Sequence, residues 1–322
     1  MTTVAVVGSG AVGCYYGALL ARAGVDVRFL MRRDLEAVRN NGLRVESPLG
    51  GFHVERVDAV ADPTELGHPD WVICSLKSTA LEHARELLAP AVGPNTRIVA
   101  LMNGLGVEER IAAWFGRERV FGAMAFVCIN RGEPGLVHHL DYGRVSIGHL
   151  LDDPGENARL AELLRLGDIE VVVAPNLRYA RWEKLCWNVP FNGLSVAAGG
   201  VGTKLIMEDA ALRSTAERAM REVVAIGNAD LAAIGSAAHL DEAAVVESMF
   251  RLTGTMGDYR TSMAIDYVLG RELEVEAILG ETSRHAARHH VPAPTVDALY
   301  ALVRVADLRR RGLVPLIEDS GV

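Results

Sequence analysis

The sequence predicts an α/β protein in which a doubly wound parallel sheet forms an N-terminal domain and an all-helical C-terminal domain follows. Over the first half of the chain, short and wholly apolar segments alternate with helix-forming ones, a pattern typical of parallel strands that are buried on both faces. After residue 176 long helical segments prevail and strand patterns almost vanish. We therefore expect domains at residues 1–175 and 176–322.

Seven segments of the first half are the strand candidates. They are VAVV, VDVRFLMRR, WVICSLK, TRIVALMNG, RVFGAMAFVCI, GLVHHLDYGRVSIG and IEVVVAP. VAVV, WVICSLK and TRIVALMNG are each followed by a helix-compatible segment, as in a doubly wound sheet, and the last three candidates form a more β-rich portion.

The composition is that of a globular protein with a sizeable core, since half of the 322 residues are hydrophobic and 23% are charged. A net charge of −8 argues against nucleic acid or an anionic membrane as partner. No apolar run reaches the roughly 18–20 residues of a membrane span, and the start, MTTVAVVGSG, lacks the basic segment of a signal peptide. The four cysteines are widely spaced, which predicts neither disulfides nor a metal site. A cytoplasmic location with reduced thiols is expected.

A glycine-rich turn directly follows the first strand candidate. Gly8, Gly10 and Gly13 have the G-x-G-x-x-G spacing at the start of a helix. Gly8 permits a tight turn, Gly10 lets the backbone approach a pyrophosphate, and Gly13 lets the helix pack close to the strand. The helix N-terminus adds N–H groups and the positive end of its dipole. We therefore expect a Rossmann-type dinucleotide site formed by Gly8, Ser9, Gly10, Ala11, Val12 and Gly13.

The end of the second strand indicates which dinucleotide binds. NAD sites usually place an acidic residue there for the ribose hydroxyls, whereas NADP sites favour an arginine near the 2′-phosphate. Here the segment FLMRRD places Arg32 and Arg33 in this region, and Asp34 comes slightly late. The pattern favours NADP, with two solvated surface arginines as the alternative interpretation.

Two further strand ends carry polar side chains, Lys77 after CSL and Asn103 before Gly104. A lysine after a strand is usually a solvated loop residue, and Asn-Gly is usually a turn. Ligands of open α/β sheets, however, collect outside the carboxyl ends of the strands. The matching placement makes Lys77 and Asn103 candidates for ligand binding.

Polar side chains recur every four residues in the apolar stretch ARWEKLCWNVPFNGLS, residues 180–195. Lys184, Asn188 and Asn192 would lie on one face of a helix, with the aromatic and aliphatic side chains packing that helix. The three span about 12 Å along a helix axis, which suits an elongated substrate and excludes a point-like metal site. Pro190 removes one backbone donor and predicts a bend or a loosened turn near this face.

The segment SMAIDYVLGRELEVEAILGE, residues 262–281, contains a candidate helix cap, Ser262, and four glutamates. Acidic residues in a first helical turn complement the helix dipole, so the spacing alone does not choose among the glutamates. Downstream, His285, His289 and His290 have no well-placed third ligand. We expect no metal site there and interpret these histidines as the solvated, basic end of a helix.

The order and spacing of these motifs resemble those of the ketopantoate reductase (2-dehydropantoate 2-reductase) family. The glycine fingerprint, the basic end of strand two, a lysine after a strand and an Asn-Gly pair come first. K-x-x-x-N-x-x-x-N at 184–192 and S-M…G-R-x-x-E at 262–274 follow. The resemblance extends from Val4 to about Leu302. Its most specific part is the lysine–asparagine–asparagine stripe, because many dehydrogenases share the glycine fingerprint.

The resemblance implies NADPH-dependent reduction of 2-dehydropantoate to pantoate, for pantothenate and coenzyme A synthesis. Arg32 would hold the 2′-phosphate of NADP, and Lys77 and Asn103 would lie near the nicotinamide and the substrate. The roles implied for the helical domain are Lys184 as general acid, Asn188 and Asn192 as substrate-positioning groups, Ser262 against the substrate carboxylate and Glu274 at its hydroxyl end. The match selects Glu274 among the glutamates, with Glu276 as the fallback.

These residue types suit the chemistry. Hydride transfer to a 2-oxo acid builds negative charge on the carbonyl oxygen, which a positioned ammonium stabilises and then protonates. A carboxylate only accepts hydrogen bonds and therefore suits a substrate hydroxyl. Two alternatives stay open: a reductase of another branched 2-oxo acid, and a non-catalytic NADP sensor, which would have no need of Lys184 and Glu274. The expected partner is a small 2-oxo acid, with no nucleic acid and no membrane, and a homodimer is left open.

Overall fold

The structure is a computed structural model that describes residues 2–314. It consists of two compact units that divide between Ala180 and Arg181, a few residues beyond the boundary expected from the sequence. The last residues of the expected C-terminal domain, 315–322, lie outside the described residues.

The first unit is built on one mixed sheet. Between residues 2 and 180 the strands are β1 (Thr3–Val7), β2 (Asp26–Leu30), β3 (Leu43–Glu46), β4 (Phe52–Val54), β5 (Asp58–Val60), β6 (Trp71–Cys74), β7 (Arg97–Ala100), β8 (Val120–Arg131), β9 (Leu136–His149) and β10 (Val171–Val173). The helices of this unit are α1 (Ala11–Arg22), α2 (Leu35–Asn41), α3 (Leu81–Leu88), α4 (Val107–Phe115) and α5 (Pro154–Leu166). The strand order is β4-β3-β9-β8-β7-β6-β1-β2-β5, and β10 pairs with β9.

The central strands confirm the expected parallel sheet. From β8 through β7, β6, β1 and β2 to β5 every neighbouring pair is parallel, whereas β8–β9 and β3–β4 are antiparallel. All seven strand candidates form strands. The short strands β3, β4 and β5 have no counterpart among the candidates, because segments of three or four residues carry too little pattern to stand out.

The central strands are buried on both faces, as their apolar sequences predict. In β1, Val4 and Val6 belong to one apolar cluster with residues of α1 and α5, while Ala5 and Val7 belong to a second cluster with residues of α3 and α4. Successive side chains of a strand point to opposite faces of the sheet. Helices therefore cover both faces, as in a doubly wound sheet.

Within residues 181–314 the second unit consists of helices joined by turns and loops, and it contains no strand. Its helices are α6 (Leu177–Ala197, which begins in the first unit), α7 (Thr203–Glu208), α8 (Ala210–Ala233), α9 (Glu242–Thr255), α10 (Ser262–Val268), α11 (Glu281–Arg288) and α12 (Pro294–Arg310). A π-helical turn, Glu276–Gly280, leads into α11. The helix α6 continues through Pro190, which supplies no N–H to the carbonyl of Cys186.

The helix α6 is the buried helix that its sequence predicts. Trp182, Leu185 and Phe191 are each at most 1% exposed. The indole N–H of Trp182 donates to a carboxylate oxygen of Asp230, on α8, over 2.8 Å. A buried indole N–H needs an acceptor, so this hydrogen bond fixes α6 against α8 inside the helical unit.

Close packing of α1 against the sheet depends on Gly13. A Cβ atom at this position would lie 2.3 Å from the hydroxyl of Ser75 and 2.4 Å from the carbonyl oxygen of Gly8. A Cβ atom at Gly10, in contrast, would meet no atom within 4 Å. Packing of α1 against the sheet therefore requires glycine at position 13, whereas it does not require glycine at position 10.

We expect Gly13→Ala to lower the free energy of unfolding by about 1–3 kcal/mol, because the backbone of the turn and the helix must move apart. Gly10→Ala is the matched control and should cost less than about 1 kcal/mol, the effect of alanine at a helix N-cap. Urea denaturation of the ligand-free protein measures both. Equal unfolding midpoints for the two variants would show that the close approach at Gly13 is not a constraint.

Candidate functional site

The turn after β1 has the geometry of a phosphate-binding loop. Gly8 has a φ of +102°, a conformation that favours glycine, and a Cβ atom there would lie 2.5 Å from the backbone nitrogen of Leu76. The hydroxyl of Ser75 donates to the carbonyl oxygen of Gly8 over 2.8 Å, and that of Ser9 donates to the carbonyl oxygen of Leu30 over 2.8 Å. The turn is thus tied to the ends of β6 and β2.

The N-terminus of α1, just after its cap residue Gly10, has room for a ligand. Gly10 is its N-cap, makes no side-chain capping bond, and has open space where a side chain would stand. Ala11 and Val12 form the first turn, which contains no acidic residue. The N–H groups of such a first turn have no intrahelical partner and favour an anion. The residues present therefore fit the pyrophosphate of a dinucleotide.

The end of β2 carries three charged residues in different surroundings. Arg32 and Arg33 are exposed. Asp34 is 8% exposed and forms an ion pair with Arg131, the last residue of β8. The two arginines that the sequence assigns to a phosphate therefore stand at the surface, whereas the neighbouring acid is neutralised by a cation from a distant strand.

Lys77 and Asn103 lie at the same edge of the sheet as the glycine turn. The strands β7, β6, β1 and β2 are consecutive and parallel, so their carboxyl ends share one edge. Lys77 is exposed and precedes the short 3-10 turn Ser78–Ala80, while Asn103 is half-buried. The cofactor-site candidates of the first unit therefore lie along one edge of the sheet, the edge at which ligands of open α/β sheets collect.

The polar stripe of α6 lies among buried groups of the helical unit. Asn188 is 4% exposed and Asn192 is 2% exposed, while Lys184 is half-buried. The ammonium of Lys184 is 5.7 Å from the ring centroid of Trp187, within the range of a cation–π interaction. A lysine and two buried amides are therefore held on one face of a helix that is otherwise packed with apolar side chains.

Asn192 connects the stripe to the helix that carries Ser262. Its amide nitrogen donates to the backbone carbonyl of Asn188 over 3.0 Å, and its amide oxygen accepts from the backbone N–H of Met263 at 3.3 Å. Ser262 is the first residue of α10 and is exposed, and the cap of that helix is the side chain of Thr261. The expected capping role of Ser262 is therefore filled by its neighbour.

Glu274 and Glu276 stand in contrasting environments. Glu274 is 5% exposed and lies two residues before the π-helical turn Glu276–Gly280, a feature frequent at functional sites. Glu276 has a side chain that is 58% exposed and accepts hydrogen bonds from Arg284 and Tyr300. The Glu276 carboxylate therefore forms part of a hydrogen-bonded network at the surface. This difference favours Glu274 over Glu276 as the candidate substrate-binding glutamate.

Asp307 was not identified from the sequence. This residue of α12 is 7% exposed, and its carboxylate accepts the backbone N–H of Leu273, next to Glu274, at 3.1 Å. The signal in the sequence is an acidic residue on an apolar helix face, because Asp307 follows Val296, Leu299 and Val303 at intervals of three or four residues.

The expectation that the histidines form the solvated end of a helix was wrong for His285. This side chain is 5% exposed and hydrogen-bonds to the backbone carbonyl of Glu281, and His289 contacts Asp230 at 3.1 Å. The indole ring of Trp182, on α6, packs edge-on against the His285 ring with centroids 5.5 Å apart, although the local sequence places His285 at a solvated helix end. Within residues 2–314, no group of three or more histidine, cysteine, aspartate or glutamate side chains is placed to hold a metal ion.

The four cysteines are buried, and none of them forms a disulfide. Burial raises the pKa of the Cys14 and Cys74 thiols to about 12, and it raises the pKa of Cys186 as well. Thiols in such surroundings stay protonated at neutral pH and are poor nucleophiles.

Comparison with known proteins identifies the family. The profile of the family described as ketopantoate reductase PanE/ApbA matches residues 4–152, and that of its C-terminal region matches residues 176–307. A 2-dehydropantoate 2-reductase of Nostoc sp. is 36% identical over 313 residues, which cover 95% of this chain and 96% of that protein. A crystal structure of 2-dehydropantoate 2-reductase from Geobacter metallireducens is 42% identical with a TM-score of 0.90, covering 94% of this chain and 99% of that one. The chain therefore belongs to the ketopantoate reductase family.

The same fold occurs in a more distant enzyme. A D-mandelate dehydrogenase, solved with NADH and anilino(oxo)acetate, is 22% identical with a TM-score of 0.85 over 96% of this chain. Among residues 2–314, no helix combines the length and the apolar character that crossing a membrane requires.

Proposed function

We propose that this member of the ketopantoate reductase family reduces 2-dehydropantoate to pantoate with NADPH, in pantothenate and coenzyme A synthesis. The observation that carries the proposal is the face of α6 on which Lys184, Asn188 and Asn192 lie at four-residue intervals among buried side chains. Full-length similarity to proteins named 2-dehydropantoate 2-reductase supports the choice of substrate.

The cofactor would be held by the first unit. The N–H groups at the start of α1, after the turn at Gly8 and Gly10, would bind the pyrophosphate, and Arg32 would bind the 2′-phosphate. Lys77 and Asn103, at the same edge of the sheet, would lie beside the nicotinamide. When bound, the nicotinamide supplies the hydride, and the protein supplies position and electrostatic field.

The helical unit would hold the substrate. Lys184 would stabilise the negative charge that develops on the carbonyl oxygen and donate the proton that completes the alcohol. Asn188 and Ser262 would donate hydrogen bonds to substrate oxygens, with Ser262 at the carboxylate. An asparagine amide carries two N–H groups, so Asn192 can donate one to the Asn188 carbonyl and the other to the substrate. Glu274 would accept a hydrogen bond from the substrate hydroxyl.

The purified protein should oxidise NADPH rapidly with 2-dehydropantoate and slowly with other branched 2-oxo acids, because Glu274 is matched to a hydroxyl. Initial rates across such a panel, with kcat/KM for each acid, measure this. Negligible turnover of 2-dehydropantoate beside fast turnover of a relative would assign the chain to another substrate. Tight NADPH binding with no turnover of any acid would indicate a nucleotide sensor.

Lys184→Ala should lower kcat/KM for 2-dehydropantoate by about 10²–10⁴-fold, because the developing oxyanion loses its proton donor. The matched control is Lys204→Ala, since Lys204 is exposed on α7 and pairs with Glu208 at 3.9 Å. The control should keep its activity, and both variants should bind NADPH as the parent does. Unchanged turnover in Lys184→Ala would refute the role of Lys184 as the acid.

Glu274→Gln should lower kcat/KM by about 10–100-fold, the loss expected for a hydrogen bond to a charged group. The effect should appear for 2-dehydropantoate and be much smaller for a 2-oxo acid that has no hydroxyl. Glu276→Gln serves as the comparison and should change kinetics little, because its carboxylate is engaged with Arg284 and Tyr300. The reverse order of effects would transfer the role to Glu276.

A further inference from the structure

We propose that Arg131 is a cofactor-specificity residue that acts through Asp34. The guanidinium of Arg131 neutralises the Asp34 carboxylate, so that the residues after β2 can bind the 2′-phosphate of NADP. The inference rests on the proposed use of NADP and adds a residue from β8 to the determinants of that preference.

Asp34 lies slightly beyond the position at which an acidic residue ordinarily favours NAD. It lies two residues beyond Arg32, so the two Cα atoms are at most about 7 Å apart. An acidic residue at the end of the second strand serves NAD sites by accepting hydrogen bonds from the ribose hydroxyls. A second negative charge in the same place repels a 2′-phosphate. Left without a partner, Asp34 would therefore oppose the arginines that precede it.

The structure provides that partner through the β8–β9 hairpin. Arg131 ends β8, and its guanidinium pairs with the carboxylate of Asp34, whose side chain is 10% exposed. In the turn of the hairpin, the backbone N–H of Gly135 points to the same carboxylate oxygen at 3.5 Å. The carbonyl oxygen of Gly135 accepts from the backbone N–H of Arg44, in β3, over 2.9 Å. The hairpin that carries Arg131 is thus anchored beside the start of α2.

Both charges act on the helix that begins at the glycine turn. Burial raises the pKa of the Cys14 thiol, on α1, while the charge of Arg131 lowers it and that of Asp34 raises it. Cys14 is four residues beyond Gly10, so Arg131 and Asp34 lie within electrostatic range of the first turns of α1. The pair is therefore close enough to α1 for its charges to act near the helix start at which the cofactor pyrophosphate would bind.

The consequence follows from the charge balance. With Asp34 neutralised by Arg131, the end of β2 presents the two positive charges of Arg32 and Arg33. Loss of Arg131 exposes the 2′-phosphate to an uncompensated carboxylate and lowers affinity for NADPH by about tenfold or more at low salt. NADH has no 2′-phosphate, and its ribose hydroxyls can donate to the released carboxylate. Loss of Arg131 should therefore weaken binding of NADPH and not that of NADH.

The test measures cofactor binding to the full chain without substrate. Dissociation constants for NADPH and NADH are obtained from nicotinamide fluorescence, for the parent, Arg131→Met, Asp34→Asn and the double variant. Arg131→Met should weaken NADPH about tenfold and leave NADH unchanged or tighter. The double variant should regain NADPH affinity to within about threefold of the parent, because the two residues act as one coupled pair. Arg159→Met, on the exposed surface of α5, is the control.

Three outcomes would overturn the inference. Equal weakening of NADPH and NADH in Arg131→Met would give the pair a structural role only. Unchanged NADPH affinity would show that the pair has no influence on the cofactor, and failure of Asp34→Asn to rescue would exclude the carboxylate as the cause. A thermal unfolding midpoint for each variant separates loss of fold from loss of affinity.

Failure of the proposed cofactor preference is distinguishable from failure of this inference. If the parent binds NADH as tightly as NADPH, or if Arg32→Ala weakens both equally, the use of NADP is refuted without reference to Arg131. If the parent prefers NADPH and Arg131→Met keeps that preference, only the inference about Arg131 is refuted.

Discussion

The close approach of the β1–α1 turn to the end of β6 is the constraint on which the first unit depends. The backbone of Ser75 and Leu76 leaves no room for a Cβ atom at Gly8, and the Ser75 hydroxyl leaves none at Gly13. This contact holds the start of α1 at the carboxyl edge of the sheet. The end of β2, Lys77 and Asn103 reach the same edge because β7, β6, β1 and β2 run parallel. The nucleotide site proposed at this edge thus depends on the common direction of these strands and on the absence of a side chain at Gly8 and at Gly13.

The helical unit places its polar groups under a different constraint, the need of buried polar atoms for partners. Trp182 donates to Asp230, Asn192 joins α6 to the first turn of α10, and Asp307 receives a backbone N–H next to Glu274. Each bond connects segments that are far apart in the chain. These hydrogen bonds therefore fix the helices and the segment that carry the residues proposed to act on the substrate.

Much of the candidate site could be predicted from the sequence, because its signals are local. The glycine spacing, the arginines after β2 and the four-residue period of α6 can each be recognised within a short segment. Other features required the fold. The partner of Asp34 is almost a hundred residues away, and the burial of His285 depends on contacts from other helices. The segments of β3, β4 and β5 form strands because they pair with neighbouring strands of the sheet.

The sequence by itself determined the α/β class, the family resemblance, the glycine turn and the polar face of α6, since periodicity and spacing are properties of the chain alone. Only the tertiary structure decided that Glu274 is buried while Glu276 is tied to the surface, that Thr261 rather than Ser262 caps α10, and that Arg131 neutralises Asp34. The physical reason is that burial and charge pairing arise between segments distant in sequence. Neither can be derived from the local pattern of residues around a position.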